Sequence, residues 1–287
     1  MPDPAQARAS AVHHLGEDLG GRLADLGEVG FALEPDTAST AGCRLGGPAL
    51  LDPGTAWPEF AGVPLTLIAV LDLAAFVPLI GNELPENADG MLLNLFHCGP
   101  NTHLYDHAWG RVRDPLEWRV IPAARGRATE RAAPAPAVRF RPFPVRAVPV
   151  LTFPDVDEPV VDDLLDGPRS DRFDVTAWQD RVSRYQVWAK ELPGHEHQAF
   201  GWPAVVHGSP TAQGRRQRVE RDPASGAAVP PDDAWRLLLR VGSDGRILTE
   251  DGERWWQWAD MGALYYVIPG AALRAGDLSQ AEAAEQG

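Results

Sequence analysis

Apolar positions in this chain fall into short blocks rather than long periodic stretches. PLTLIAVLDL from Pro64, MLLNLFHC from Met91, EWRVI from Glu117, VRFRPFPV from Val138, WPAVVH from Trp202, WRLLLRV from Trp235 and ALYYVI from Ala263 are rich in branched and aromatic residues. Gly, Pro, Asn or Asp bound each block, the pattern of strands separated by turns. Two stretches carry helical spacing instead. Val12, Leu15, Leu19, Leu23 and Leu26 recur at three and four residue steps, although Gly16, Gly20 and Gly21 interrupt them. Val175, Trp178, Val182, Tyr185, Ala189 and Leu192 form a second stripe, with Asp174 placed to cap it and Gly194 to end it, predicting a long helix near 174–192.

Strands and helices do not alternate regularly, so a doubly wound parallel sheet is disfavoured. The expected fold class is α+β, mainly antiparallel sheet, with a peripheral N-terminal helix. ARGRATERAAPAPA from Ala124 reads as a Pro/Ala/Arg connection, and the stretch from Gly208 to Asp233 as a long surface loop. The polar residues after Leu278 read as a helix-prone tail that frays. Residues 63–80 approach the length of a membrane span, but Asp72, Pro64 and Pro78 break them up. A buried strand followed by a short helical or irregular piece accounts for them better.

Two passages echo each other. LGGP from Leu45, a strand ending at Asp72 and ADGMLLNLF from Ala88 match FGWP from Phe200, a strand ending at Asp244 and ADMGALYYV from Ala259. This predicts two pseudo-repeated halves in one domain, about 42–150 and 195–278. The expected layout is a lead-in over 1–41, one domain over 42–278 and a tail over 279–287.

The same residues carry a family resemblance. RLGGPALLDPGTAWPEFAGVPLTLIAVLDL from Arg44, the Phe/Pro-rich VRFRPFPVRAVPVLTFP, HQAFGWP from His197, and WRLLLRVGSD followed by WADMGALYYVI resemble, in that order, the YwqG-like bacterial proteins of unknown function. Ala259 departs from the pattern, standing where a Trp-Gly-Asp turn is expected. The resemblance implies a single-domain α+β fold with extensive antiparallel sheet, and it brings no activity with it.

RWWQWADMGALYYV from Arg254 packs three tryptophans and two tyrosines into an otherwise aromatic-poor chain. Side chains alternate along a strand, so Trp256 and Trp258 share one face and Trp255 takes the other. Burying one indole removes roughly 150–250 Å² from water, worth about 4–6 kcal/mol as an upper bound. Burial of Trp256 and Trp258 is therefore expected, with Trp255 at the edge of a groove. Asp260 is expected to bond amides of its own turn.

Composition narrows the function classes. Charged residues make up 23% and hydrophobic ones 44%, the balance of a folded soluble protein. A net charge of −14 repels phosphate backbones and anionic lipid, so neither nucleic acid nor membrane is an expected partner. Two cysteines, Cys43 and Cys98, make no disulfide framework, and no leader-like segment opens the chain; a cytoplasmic location is expected. Charge is uneven: arginines crowd residues 111–146 and carboxylates crowd 155–174.

Catalytic signatures are weak. His97, His103 and His107 suggest a metal site, yet Gly99, Pro100 and Asn101 make that segment a loop without zinc-site spacing. His195, His197 and His207 form a second conceivable set. Ser209 lies outside any nucleophile elbow, and no phosphate-binding glycine loop is present. No cofactor is expected.

Three readings follow. The first is a non-catalytic interaction or inhibitor-type module, in which an acidic rim of Asp155, Asp157, Glu158, Asp162 and Asp163, beside a groove with Trp202, steers a basic protein partner such as a toxin. The second is a small-ligand binder or enzyme using a groove near Trp255, His197 and Asp260. The third is the histidine metal site. Oligomeric state is left open.

Overall fold

Glycine divides the N-terminal helical stretch into two helices. A computed structural model describes residues 3–37, 42–99, 115–167, 171, 173–221 and 235–287. In it α1 (Pro4–Leu15) stops at Gly16, whose φ of 84° belongs to the left-handed side of the map, and α2 (Glu17–Ala24) sets off in a new direction. The two pack so closely that a Cβ on Gly20 would lie 2.5 Å from the Ala11 carbonyl oxygen. The sequence predicts one continuous stripe; this contact is what splits it.

The chain then runs through β1 (Glu28–Pro35), β2 (Arg44–Leu45), β3 (Ala49–Leu51), β4 (Glu59–Phe60), β5 (Val63–Pro64), β6 (Thr66–Asp72), α3 (Val77–Ile80), β7 (Met91–His97), β8 (Trp118–Ala124), β9 (Thr129–Arg131) and β10 (Phe143–Thr152). It continues as α4 (Pro159–Leu164), α5 (Val175–Ala189), β11 (His197–Ala199), α6 (Pro210–Arg221), β12 (Trp235–Gly242), β13 (Asp244–Leu248), β14 (Trp255–Trp256), β15 (Ala263–Pro269), α7 (Gly270–Ala275) and β16 (Glu282–Gln286).

Ten strands form one antiparallel sheet in the order β16-β15-β12-β11-β1-β10-β2-β6-β7-β8. Its middle is the long β1–β10 ladder, Glu28 opposite Thr152 through Pro35 opposite Val145. The sheet curls until its outermost strands nearly meet: Trp118 on β8 donates its indole N–H to the carbonyl of Ala281, the residue before β16. The fold is α+β with mostly antiparallel sheet.

Curling encloses a core that draws on every part of the sheet, with Phe31, Leu45, Ile68, Leu93, Trp118, Val241, Trp256, Trp258 and Tyr266 in one buried cluster. Alternation along β15 works as its sequence dictates. Leu264, Tyr266 and Ile268 enter this core, while Ala263, Tyr265 and Val267 face outward into a second layer with Trp235 and Ala284. Trp256 and Trp258 are fully buried, their rings 5.6 Å apart and edge to face, and Trp255 is half-buried. α5 is capped by the Asp174 side chain, which accepts from the amides of Thr176 and Ala177. Its buried residues are Tyr185 and Trp188; Val175 is exposed, and the helix ends at Ala189, ahead of Gly194.

Three sequence expectations are corrected. Residues 1–41 are not all lead-in, because β1 lies at the centre of the sheet. Residues 210–221, read as loop, form α6; lacking a side chain, Gly214 lets the helix lie on the outer layer, where a Cβ would meet Val267 Cγ2 at 2.5 Å. The tail after Leu278 does not fray. It makes a 3₁₀ turn at Leu278–Gln280 and becomes β16, whose Ala283 and Ala284 are fully buried against β15. Among the described residues no helix is long and apolar enough to cross a membrane.

Candidate functional site

The residues expected to form a groove are scattered. His197 is buried on β11, its Nε2 3.1 Å from Asp244 Oδ2, and Arg246 grips the same carboxylate from its Nε and Nη2. Burial pushes the Asp244 carboxyl up, but the hydrogen bonds from His197 and Arg246 outweigh it and hold it well below the usual carboxylate range. This is an ion-paired strut at the start of β13, with the His197 and Asp244 side chains both buried. Asp260 is exposed in the turn before β15, and Trp255 pairs with Leu248 on β14. Trp202 donates its indole N–H to the Leu26 carbonyl at 2.7 Å, fastening the segment after β11 to the end of α2.

The acidic run is largely consumed by the fold. Asp155 accepts from the Asp157 amide, and Asp157 accepts from the Gly208 amide. Glu158 is buried and receives the Thr211 hydroxyl, and burial pushes its carboxyl up against the pull of hydrogen bonds from Ser209 and Thr211. Asp162 is half-buried; Asp157 and Asp163 are exposed. A continuous acidic rim is therefore absent from these five residues.

Metal-site expectations fare no better. His97 is buried at the end of β7, accepting from the Gly99 amide and lying edge-on to Trp258, whereas His103 and His107 lie outside the described residues. Among the described residues no three His, Cys, Asp or Glu side chains group as a metal site, the His195, His197 and His207 set included. Burial pushes the Cys43 thiol up to about 12, which leaves it a poor nucleophile at neutral pH. Ser209 caps α6 by accepting from the Ala212 amide.

A different place offers a site. Where the edges of the sheet approach, a cavity of about 550 Å³ is lined by Leu116, Trp118, Arg119, Val120 and Pro122 on one side and by Asp277, Leu278, Ser279, Ala281 and Glu282 on the other, with Arg221 reaching in. Three elements build it. β8 supplies Trp118, the 3₁₀ turn and β16 supply Leu278 and Glu282, and α6 ends on Arg221. The Arg221 guanidinium sits 5.5 Å above the Trp118 ring and pairs with Glu282 Oε1. Burial pushes the Glu282 carboxyl up, and Arg221 pulls it back toward its charged form. Glu282 is 2% exposed, and its second oxygen, Oε2, makes no hydrogen bond among the described residues; neither does Arg221 Nη1. Both residues line the cavity, and both of these atoms are themselves buried and unsatisfied among the described residues.

The chemistry here is recognition. Two arginines, Arg119 and Arg221, and two carboxylates, Asp277 and Glu282, line a largely apolar cavity. The Ser279 hydroxyl is occupied by Asp277 at 2.5 Å, and no histidine or cysteine lines the cavity among the described residues. A second cavity of about 240 Å³ lies at the far end of β8, beside the 2.9 Å Asp52–Arg127 ion pair.

The model of one family, described as a domain of unknown function, DUF1963, matches residues 43–284. The chain belongs to the DUF1963 family. The match starts at the buried Cys43 ahead of β2 and runs into β16, so both edges of the sheet and the cavity between them lie inside the DUF1963 domain. A search of curated proteins finds no match to this DUF1963 chain. Nothing in the apolar pattern announced the site, because residues 116–122 and 276–282 are far apart in sequence and each reads as an ordinary strand or turn. The one available signal was Arg221 at the end of an unrecognised helix.

Proposed function

We propose that this DUF1963 chain is a non-catalytic interaction module whose recognition site is the seam cavity between β8 and β16. The observation that carries the reading is the buried Arg221–Glu282 pair in the lining of a cavity of about 550 Å³, large enough for a ligand or a partner segment. Among the described lining residues there is no histidine or cysteine, and the Ser279 hydroxyl is bonded to Asp277, which supports binding over chemistry. A net charge of −14 favours a basic partner during approach, with Asp157 and Asp163 among the exposed carboxylates.

The finer YwqG-like kinship and a duplicated framework belong to the same proposal. The strand order supports duplication, since β8-β7-β6-β2-β10 and β16-β15-β12-β11-β1 are two five-strand series joined back to back. So does a shared turn: Gly46 and Gly47 after β2, and Phe200 and Gly201 after β11, are consecutive left-handed residues. On this reading the seam lies where the outermost strands of the two units face each other.

A photo-crosslinking side chain at exposed Ser279 tests the site, with one at exposed Asp163 as comparison. Adducts with a protein at Ser279 and none at Asp163 are expected in native lysate. Adducts at Asp163 alone would restore the acidic-surface reading, and a co-purifying small molecule in native mass spectra would restore the small-ligand one.

A further inference from the structure

The seam also presents backbone. β8 pairs with β7 from Met91 opposite Ala124 to His97 opposite Trp118, and the ladder is prolonged at its ends by Cys98 N–H to Glu117 C=O at 2.8 Å and Arg125 N–H to Gly90 C=O at 2.9 Å. Hydrogen-bonded and non-hydrogen-bonded pairs alternate along an antiparallel ladder. Glu117, Arg119, Ile121, Ala123 and Arg125 therefore turn their backbone groups toward β7, and Trp118, Val120, Pro122 and Ala124 turn theirs away. Pro122, which has no N–H, stands where the ladder asks for none.

Two of the outward groups are occupied. The Ala124 amide donates to Asp52 Oδ1 at 3.1 Å, and the Trp118 carbonyl accepts from Arg119 Nη1 at 2.7 Å. The Trp118 N–H, the Val120 N–H and C=O, and the Pro122 C=O have no partner among the described residues. All three residues line the seam cavity, and Trp118 and Val120 are 2% and 8% exposed. Buried backbone groups are almost always hydrogen-bonded. Pro122 is exposed, whereas the groups of Trp118 and Val120 belong to buried residues that line the cavity.

We infer that the seam binds an extended peptide segment of a partner protein, added as a further strand along β8 from Trp118 to Pro122. This rests on the seam being the recognition site, and it names the occupant. Main-chain bonds to Trp118, Val120 and Pro122 hold the segment, at about 3.3 Å per residue, so roughly five residues are engaged. Leu116 and Leu278 offer apolar walls to alternate side chains, and the paired Arg221 and Glu282 line the same cavity.

A heptapeptide display library selected on the full-length protein supplies the probe, and the selected peptide is then synthesised with single N-methyl groups at each amide in turn. Strand addition predicts that methylation at alternate amides weakens binding at least tenfold, while the intervening positions change it less than about twofold. Val120→Pro deletes an outward N–H and no ladder bond, so it is expected to weaken binding about tenfold, with a lowered unfolding midpoint because Val120 is buried in the core. Tolerance of methylation without that alternation overturns the inference even if Val120→Pro does not fold. If no peptide is selected but small organic fragments protect residues 116–122 from hydrogen exchange, the peptide occupant is wrong and the recognition site stands. If neither peptides nor fragments alter exchange there, both fall.

Discussion

Trp118 on β8 and Ala281 beside β16 are joined across the seam by a 2.8 Å hydrogen bond from indole N–H to backbone carbonyl. These residues lie on or beside the two outermost strands of the ten-stranded sheet, so this bond is a clasp on its closure. Trp118→Phe keeps most of the apolar area and removes the donor. A loss of about 1 kcal/mol is expected in urea unfolding, the usual net value of one such bond, with a larger loss of about 3–5 kcal/mol for Trp118→Ala. Hydrogen exchange should rise at 278–286 in the Phe variant.

Glu158 sets a pH dependence of opposite sign to the usual carboxylate. Burial pushes its carboxyl up from an ordinary 4.5, so the folded state holds the proton more tightly than the unfolded chain does. Its contribution to stability is fully present below about pH 4.5 and is lost as pH rises through the folded value. Glu158→Gln keeps an acceptor for the Thr211 hydroxyl without a charge. The variant is expected to unfold at higher temperature than the wild type at pH 7–8 and at an equal one near pH 4. Glu282→Gln, although its carboxyl is raised too, is expected to destabilise at neutral pH because it strands Arg221.

Legibility differed by element for physical reasons. The strand blocks and the buried Trp256 and Trp258 were readable because dense branched and aromatic residues have few soluble arrangements. β16, EAAEQ, was not: two alanines carry no strand preference, and its place comes from Gly262 and β15. α6 hid among Gly, Pro, Ser and Arg, since its docking depends on Gly214 having no side chain rather than on an apolar stripe. Within the acidic run, composition cannot distinguish a solvated carboxylate such as Asp163 from a buried one such as Glu158, which ties α4 to α6. As for the seam, it exists only once both edges are placed.

Gly262 tests the last strand directly. A Cβ there would lie 1.7 Å from the Gln286 carbonyl oxygen, a backbone atom that cannot move without pulling β16 from β15. Gly262→Ala is expected to cost about 1–3 kcal/mol, the usual range for overpacking, and to expose the amides of residues 282–286 to exchange. Deleting residues 282–287 is expected to be harsher: Tyr265 and Val267 lose cover and β15 becomes a long apolar edge, so the truncated chain should aggregate on sizing columns.

Trp256 and Trp258 allow a sharper test of core coupling. Each is fully buried with an indole nitrogen that makes no hydrogen bond among the described residues, and Phe140 packs 5.0 Å from the Trp256 ring. Phenylalanine at either position removes volume but no bond, so each single change is expected to cost less than the about 3–5 kcal/mol of alanine. Because the two rings touch, their losses should not add. A double-mutant cycle on Trp256→Ala and Trp258→Ala should show a coupling of about 0.5–3 kcal/mol by urea unfolding. A coupling of zero would mean that the rings stabilise the core independently, each through its own neighbours rather than through the pair.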